Sequence, residues 1–280
     1  MRASRPGRIP TSRHRRSLGQ HFLSNQAAAR RIVEMFGPAP GQHVIEIGPG
    51  RGALTGLLLE GGARVTAVEV DFELVASLRQ RFVDAGSLSV ISADILRCDI
   101  AELAGKTPAR VLANLPYSIT GEALMRLFRA AGALTDMTLM LQREVVTRLV
   151  APPGGKVYGS LSMVAQYFTE PRAVMNLAPG SFSPPPAVSS TVVSMPFLSP
   201  RELSADAERD YPPFVRMLFA HRRRTLLNNL KSGGCAEPEE TLRRAGIDAS
   251  RRPETLDRTE SLALFAAWAS LDSKPMPGGS

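Results

Sequence analysis

Short runs of β-prone residues alternate with segments of helical periodicity from Gln42 onward, and this alternation constrains the fold more than any other feature of the chain. Strands separated by helices pair in parallel, because each helix carries the chain back across the sheet. Two more strand-like runs flank a later proline-rich loop. The pattern predicts an α/β fold with strands at 43–47, 64–69, 88–92, 110–113, 137–141, 173–177 and 191–195.

The composition changes after residue 198. Residues 199–210 are polar and charged, which predicts a linker, and the segments 214–230, 239–245 and 259–271 then have helical patterns. The sequence therefore predicts four regions. They are a basic flexible arm at 1–17, a main domain at 18–198, a small all-helical RNA-binding domain at 199–272 and a disordered tail at 273–280.

The charge of the chain favours a nucleic-acid partner. Its formal net charge is +8, six arginines lie in the first sixteen residues, and no acidic residue comes before Glu34. Such a surplus favours a polyanion, because each phosphate that is neutralised releases counterions. A basic arm could instead be an organelle transit peptide, but Pro6, Gly7 and Pro10 would interrupt the amphipathic helix that such a peptide needs.

Other bulk features are less specific. No apolar run is long enough to span a membrane, and Cys98 and Cys235 have no metal-binding or redox spacing. No sustained heptad pattern indicates a dimer. We therefore expect a cytoplasmic monomer with reduced cysteines, no metal and no membrane partner.

A glycine-rich loop, Gly48-Pro49-Gly50-Arg51-Gly52, follows the first predicted strand. Open α/β sheets bind ligands at this end of a strand, and glycines let the backbone approach a ligand closely. The second strand ends about 20 residues later in Glu69, whose carboxylate can accept hydrogen bonds from both ribose hydroxyls. By themselves these residues leave S-adenosylmethionine and NAD as alternatives.

Two features favour S-adenosylmethionine. Pro49 and Arg51 crowd a loop in which a pyrophosphate would need free backbone N–H groups. The third strand leads into Asp94, which can accept from an adenine amino group, although capping a helix is an alternative role. A dehydrogenase would also need a proton-transfer residue at the site. No histidine follows a strand end that faces the glycine loop; the histidines are His14, His21, His43 and His221.

The fourth strand ends in Asn114-Leu115-Pro116-Tyr117, which suits chemistry on an adenine amino group. That nitrogen is a poor nucleophile because its lone pair is delocalised into the ring. Two acceptors, the side-chain oxygen of Asn114 and a backbone carbonyl, would hold its two hydrogens and pull it towards a tetrahedral geometry. Pro116 stiffens the backbone that presents the carbonyl, and Tyr117 offers a face on which a flipped-out base can stack.

A second aromatic residue, Phe182, lies in a segment followed by three prolines. The prolines keep this loop extended and stiff, so Phe182 could form the wall of a base pocket opposite Tyr117. A core phenylalanine beneath a loop is an equally good interpretation of the pattern.

Taken in order, these segments resemble the ribosomal RNA adenine N6,N6-dimethyltransferases over about residues 18–271. The resemblance implies a class I, Rossmann-like methyltransferase sheet of seven strands with a small all-helical C-terminal domain. The matching segments are Leu18-Gly19-Gln20-His21-Phe22-Leu23, the glycine loop, Glu69, Asp94, Asn114 to Tyr117, and Phe182-Ser183-Pro184-Pro185-Pro186.

The resemblance also implies roles for single residues. The segment with Gln20, His21 and Leu23 would close over the methionine end of S-adenosylmethionine. Gly48 and Gly50 would lie against this cofactor, Glu69 on its ribose and Asp94 on its adenine amino group. Asn114 would lie between the methyl donor and the target nitrogen, while Leu115, Pro116, Tyr117 and Phe182 complete the catalytic set.

Two branches of this family share these motifs. One dimethylates two adjacent adenines near the 3′ end of small-subunit (16S) rRNA in an assembling 30S particle. The other dimethylates one large-subunit adenine and confers macrolide resistance. Segments 142–145, 155–161 and 219–229 resemble the small-subunit branch. The last of these predicts a helix whose Arg222, Arg223 and Arg224 bind RNA phosphates while its leucines pack inward. A small-subunit assembly factor with secondary methylation remains a further alternative.

Overall fold

The computed structural model describes residues 20–271 and is built around a seven-stranded mixed sheet with the order β4-β3-β2-β5-β6-β9-β7. The seven-stranded sheet expected from the sequence is thereby confirmed. A separate two-stranded antiparallel sheet joins β1 to β8. The bounds are β1 Phe22–Leu23, β2 His43–Ile47, β3 Arg64–Glu69, β4 Leu88–Ser92, β5 Ala109–Asn114, β6 Leu134–Gln142, β7 Arg172–Leu177, β8 Phe182–Ser183 and β9 Ser190–Pro196. The predicted basic arm, Leu18, Gly19 and the predicted tail lie outside the described residues.

Strands β4, β3, β2, β5 and β6 run parallel, and β9 pairs antiparallel with both β6 and β7. All five residues of β2 are buried, as expected for a central parallel strand that is covered on both faces. The register aligns the carboxyl ends of neighbouring strands: Ile47 pairs with Val68 and Ala113, and Glu69 pairs with Ser92. The loops that follow β2, β3, β4 and β5 therefore meet at one edge of the sheet.

Seven helices of the main domain surround this sheet within the described chain. They are α1 Gln26–Phe36, α2 Ala53–Glu60, α3 Phe72–Arg81, α4 Ile100–Ala104, α5 Thr120–Arg129, α6 Arg143–Leu149 and α7 Ser160–Phe168. Ile119, the residue before α5, forms no side-chain cap. Thr120 is the first residue of the helix, and its hydroxyl donates to the carbonyl of Pro116.

Four further helices follow: α8 Ala205–Leu218, α9 Leu226–Ser232, α10 Pro238–Ala245 and α11 Arg258–Leu271. The prediction of one helix across 214–230 is wrong, because residues 219–225 form turns between α8 and α9. The buried Asn229 side chain accepts from the backbone N–H of His221 and donates to the carbonyls of His221, Arg224 and Thr225. These bonds satisfy backbone groups that a continuous helix would have paired.

The predicted linker at 199–210 is also partly helical. Ser204 caps α8, and its side chain accepts from the backbone N–H of Ala207. The helical part packs directly on the main domain: the rings of Tyr167 and Tyr211 lie 4.8 Å apart, and the Tyr167 hydroxyl donates to Glu208. One hydrophobic cluster continues through both parts, so the two share a core. None of the helices within residues 20–271 is long and apolar enough to cross a lipid bilayer.

Candidate cofactor and substrate site

A cavity of about 700 Å³ opens at the carboxyl ends of β2, β3, β4 and β5. This is the edge at which open α/β sheets bind their ligands. With the exception of Leu23, the structure gathers every residue that the sequence assigned to catalysis or cofactor binding around this cavity. These residues are Gln20, His21, Gly48, Gly50, Glu69, Asp94, Asn114, Leu115, Pro116, Tyr117 and Phe182.

The glycine loop packs closely against neighbouring residues, and its backbone dihedral angles favour glycine. Gly48 and Gly50 have φ values of +68° and +57°. A Cβ atom on Gly48 would lie 3.1 Å from the backbone oxygen of Asn114, and one on Gly50 would lie 2.8 Å from the Phe22 ring. Glycine is therefore required at both positions for conformation and for space.

The carboxylate of Glu69 organises this loop. Its Oε2 accepts from the backbone N–H of Gly50 at 3.2 Å, and its Oε1 accepts from Val70 and Asp71 at 3.0 and 3.1 Å. Burial raises the pKa of Glu69, while these three N–H groups act in the opposite direction. An ionised carboxylate offers about four acceptor positions, so about one remains for a hydroxyl in the cavity. The sequence had suggested contacts with two ribose hydroxyls.

Asp94 has the capping role that its sequence position allowed, and its role as an acceptor for an adenine amino group stays a prediction. Its Oδ1 accepts from the backbone N–H of Leu96 at 2.9 Å and caps the 3₁₀ turn Ile95–Arg97. The residue also lines the cavity. Within residues 20–271, Oδ2 accepts no hydrogen bond, so it can serve a donor in the cavity.

Residues 20–23 lie across the cavity, and we call this segment the strap. The backbone carbonyl of Pro184 contacts the Nδ1 atom of His21 at 2.8 Å, and β1 pairs with β8. The Phe22 ring lies 5.0 Å below the Arg51 guanidinium and lines the cavity. Leu23 instead is buried in the core. Its prediction as a cofactor contact is therefore not supported, because successive residues of a strand face opposite sides. The same alternation in the sequence could have identified Phe22.

The side chain of Asn114 has a fixed orientation. Its Nδ2 donates to the backbone carbonyl of His21 at 2.9 Å. Because the amide nitrogen is engaged by the strap, the acceptor Oδ1 is the end that is left for a ligand.

A backbone carbonyl beside Asn114 is also available. The Pro116 oxygen accepts from Ile119 N–H and from the Thr120 hydroxyl, so it is already engaged. Leu115 is buried and also lines the cavity. Its oxygen accepts no hydrogen bond within the described part of the chain. The carbonyl of Leu115 is therefore the candidate for the second acceptor expected from the sequence.

The two predicted aromatic residues, Tyr117 and Phe182, both line the cavity. The Tyr117 hydroxyl shares a 2.9 Å hydrogen bond with Ser190 of β9, which fixes the ring, and the His21 ring lies 5.8 Å away. Phe182 lines the cavity and also belongs to the core beneath it. The core interpretation of Phe182 is therefore confirmed, and its role as a wall of a base pocket stays a prediction.

Glu46, to which the sequence assigned no role, lies buried in β2 below the glycine loop. The Thr55 hydroxyl donates to it at 2.6 Å. Burial raises the pKa of Glu46 to about 7; the Thr55 hydrogen bond opposes this change, and the nearby charge of Glu69 adds to it. An acid before a glycine loop is a signal that could have identified this group.

The arginines predicted to bind RNA lie in the turn between α8 and α9 rather than on a helix, and they do not line the cavity. The Arg222 guanidinium donates to the carbonyls of Lys156 and Tyr158 at 2.7 and 3.0 Å, which ties the turn to the main domain. The exposed side chains of Arg223 and Arg224 form no hydrogen bond or ion pair within residues 20–271. Over the same residues, no group of three or more His, Cys, Asp or Glu side chains could hold a metal ion.

Comparison with known proteins agrees with this geometry. Residues 11–269 match the family described as ribosomal RNA adenine dimethylase. The chain is 41% identical over 253 residues to the ribosomal RNA small subunit methyltransferase A of Xanthomonas campestris pv. campestris, covering 89% of this chain and 94% of the relative. The protein of the same name from Acidobacterium capsulatum is 40% identical over 269 residues, covering 94% and 93%.

Solved structures share the fold. A dimethyladenosine transferase from Plasmodium falciparum superposes with a TM-score of 0.75 at 22% identity, covering 89% of this chain and 98% of that one. The 23S rRNA methyltransferase ErmE superposes with a TM-score of 0.67 at 23% identity, covering 88% and 99%. The architecture is thus the class I methyltransferase fold. The chain belongs to the ribosomal RNA adenine dimethylase family and is an S-adenosylmethionine-dependent methyltransferase.

Proposed function

We propose that this protein dimethylates the N6 amino groups of two adjacent adenines near the 3′ end of small-subunit rRNA, in an assembling 30S particle in the cytoplasm. The observation that carries the proposal is the pair of acceptors at the end of β5. The Asn114 amide nitrogen donates to the His21 carbonyl, the Asn114 oxygen accepts no hydrogen bond within residues 20–271, and the Leu115 carbonyl lies beside it. An unmodified adenine amino group has two hydrogens to offer to such a pair.

The cavity fits S-adenosylmethionine. Glu69 offers an acceptor to a ribose hydroxyl and Asp94 one to an adenine amino group, while the close-packed Gly48 lets the ligand approach the backbone. The strap residues Gln20 and His21 cover the remaining end of the cavity. Bound here, the cofactor supplies a methyl group on a sulfonium, which needs no further activation.

The side chains of the protein then act by positioning. Tyr117 stacks on the target base, and the two acceptors draw the amino nitrogen out of conjugation. Its lone pair can then form the new N–C bond as the bond between the methyl carbon and sulfur breaks, and the electrons of that bond stay on sulfur as a neutral thioether. The resulting ammonium loses its proton to water, so no general base is required. Since both acceptors are fixed before the base arrives, little reorganisation is needed during the reaction.

The small-subunit substrate is supported by the relatives at about 40% identity, whose name specifies the small subunit. The likeness to ErmE is below 25% identity and supports only the fold. Arg223 and Arg224, which have no partners within the described chain, suit contacts with rRNA phosphates. Arg222 acts differently, as a link that holds the turn against the main domain.

The test is to incubate the protein with labelled S-adenosylmethionine and either small or large ribosomal subunits that lack these modifications. Primer extension then locates dimethyladenine, which blocks the polymerase. We expect label at two adjacent adenines near the 3′ end of small-subunit rRNA. Label only in large subunits would instead support the resistance branch, and tight binding to small subunits without label would support an assembly factor.

A matched pair of variants tests the role of the Asn114 acceptor. Asn114→Ala removes the acceptor and should reduce methyl transfer by at least about 100-fold, the usual cost of losing one positioned hydrogen-bonding group. Asn228→Ala changes an exposed residue of α9 and should retain wild-type transfer. Wild-type transfer by Asn114→Ala would refute the assigned role.

A further inference from the structure

A second cleft, of about 760 Å³, opens between α4 and α5 and is lined mainly by polar residues. Three of them are arginines: Arg97 at the end of a 3₁₀ turn, and Arg126 and Arg129 in the last turn of α5. We call this feature the arginine cleft. It is separate from the cavity described above and shares no lining residue with it.

The positive charge of the arginine cleft is only partly compensated. Arg97 and Arg129 are exposed, and their side chains form no hydrogen bond or ion pair within residues 20–271. Arg126 has only a loose contact of 3.9 Å with the exposed Glu122. The acid in the cleft, Asp99, uses its Oδ1 to cap α4 by accepting from the backbone N–H groups of Ala101 and Glu102. The guanidinium groups are therefore available to an external anion.

The arginine cleft is connected to the cavity through two short elements. Asp94 and Ile95 line the cavity, and the same turn ends at Arg97. Ile119 also lines the cavity, and α5 leads from it to Arg126, about 10 Å away at the helical rise per residue. A polyanion that delivers one base into the cavity could therefore reach the cleft with phosphates further along its strand.

We infer that Arg97, Arg126 and Arg129 bind phosphates of the rRNA strand that carries the target adenine. This inference rests on the proposed function and extends its substrate contacts to a second surface. Guanidinium groups suit phosphates because their planar set of donors can bind two oxygens at once. The open, polar shape of the cleft favours an extended backbone over a small enclosed ligand.

The test compares two variants that lose the same charge. The first carries Arg97→Gln, Arg126→Gln and Arg129→Gln; the control carries Arg30→Gln, Arg31→Gln and Arg64→Gln, three exposed residues outside the cleft. Binding to protein-free small-subunit rRNA and to unmodified small subunits is measured over a series of salt concentrations. The cleft variant should bind both roughly tenfold more weakly at low salt, with a salt slope lower by about two, because each phosphate contact contributes about 0.7.

Cofactor affinity and melting temperature should match the wild type in both variants. Equal weakening in the control would overturn the inference, as would unchanged binding by the cleft variant. Weakening with particles but not with protein-free rRNA would point instead to an acidic ribosomal protein. If the triple variant does not fold, Arg129→Gln alone should still lower the slope by about 0.7, and an unchanged slope would overturn the inference. Methylation of small subunits by the wild-type protein is assayed in parallel. A failure of the proposed function would appear in that assay, whereas a failure of the present inference would appear in the difference in RNA binding between the two variants.

Discussion

Replacing Glu69 by alanine should weaken cofactor binding and loosen the glycine loop at the same time. The carboxylate accepts from three backbone N–H groups, of which that of Gly50 is buried. Leaving this donor unpaired costs about 1–3 kcal/mol of folding free energy, while Val70 and Asp71 can regain water. The lost contact with a ribose hydroxyl is charge-assisted and contributes about 1.5–3 kcal/mol, so the cofactor dissociation constant should rise by roughly tenfold or more.

Isothermal titration calorimetry with S-adenosylmethionine measures this change, and urea denaturation measures the loss of stability. Asp71→Ala is the matched control. Asp71 caps α3 by accepting from Glu73 and Leu74, and it does not line the cavity. Its loss should cost about 1 kcal/mol of stability with little change in cofactor affinity. If Glu69→Ala bound the cofactor as tightly as Asp71→Ala does, the placement of the ribose at Glu69 would be refuted.

Substitutions at three other residues test separate parts of the site. Gly50→Ala places a Cβ atom 2.8 Å from the Phe22 ring at a positive φ, so it should displace the strap and weaken cofactor binding at least tenfold, measured by calorimetry. Glu46 has its pKa raised to about 7, so the native state retains a proton that the unfolded chain loses near its ordinary pKa of 4.5. The free energy of unfolding should therefore fall by about 3 kcal/mol as the pH rises from about 4.5 through 7. Glu46→Gln should remove this pH-dependent fall, which urea titrations at several pH values measure. If the variant kept the wild-type pH profile, the raised pKa of Glu46 would be contradicted. Tyr117→Phe loses the hydrogen bond to Ser190 but keeps the stacking face, so its rate of methyl transfer should fall only a few-fold. Tyr117→Ala should lose about 1–3 kcal/mol of base binding. Equal rates for the two variants in a single-turnover assay would argue against stacking.

The sheet could be predicted to within a few residues because its strands are apolar runs with clear boundaries. Helix ends in the C-terminal part could not. The segment 219–225 contains neither glycine nor proline, and its turns depend on hydrogen bonds from Asn229, a tertiary arrangement that no local pattern encodes. The start of α8 was predictable in principle, since Ser204 followed by acidic residues is a helix-start signal.

At the site, residue types and their order were sufficient to identify the groups that meet, but not their hydrogen-bond partners. The sequence indicated a backbone carbonyl beside Asn114, and only the structure shows that the Pro116 oxygen is engaged and the Leu115 oxygen is not. Likewise, Arg222 was predicted to bind phosphate, and its contacts with Lys156 and Tyr158 arise from parts of the chain that are distant in sequence.

If the Asn114 and Leu115 oxygens hold the target nitrogen as proposed, they also set a limit on how many methyl groups it can receive. Unmodified adenine satisfies both oxygens, and the monomethylated base still has one N–H for one of them. The dimethylated base has none, so both oxygens would face methyl groups and lose these hydrogen bonds, and leaving buried polar groups unpaired costs free energy. Because the strap fixes the Asn114 amide through the His21 carbonyl, the side chain cannot rotate away to relieve this mismatch without losing that bond. The site thereby distinguishes the finished product from both of its precursors and releases it.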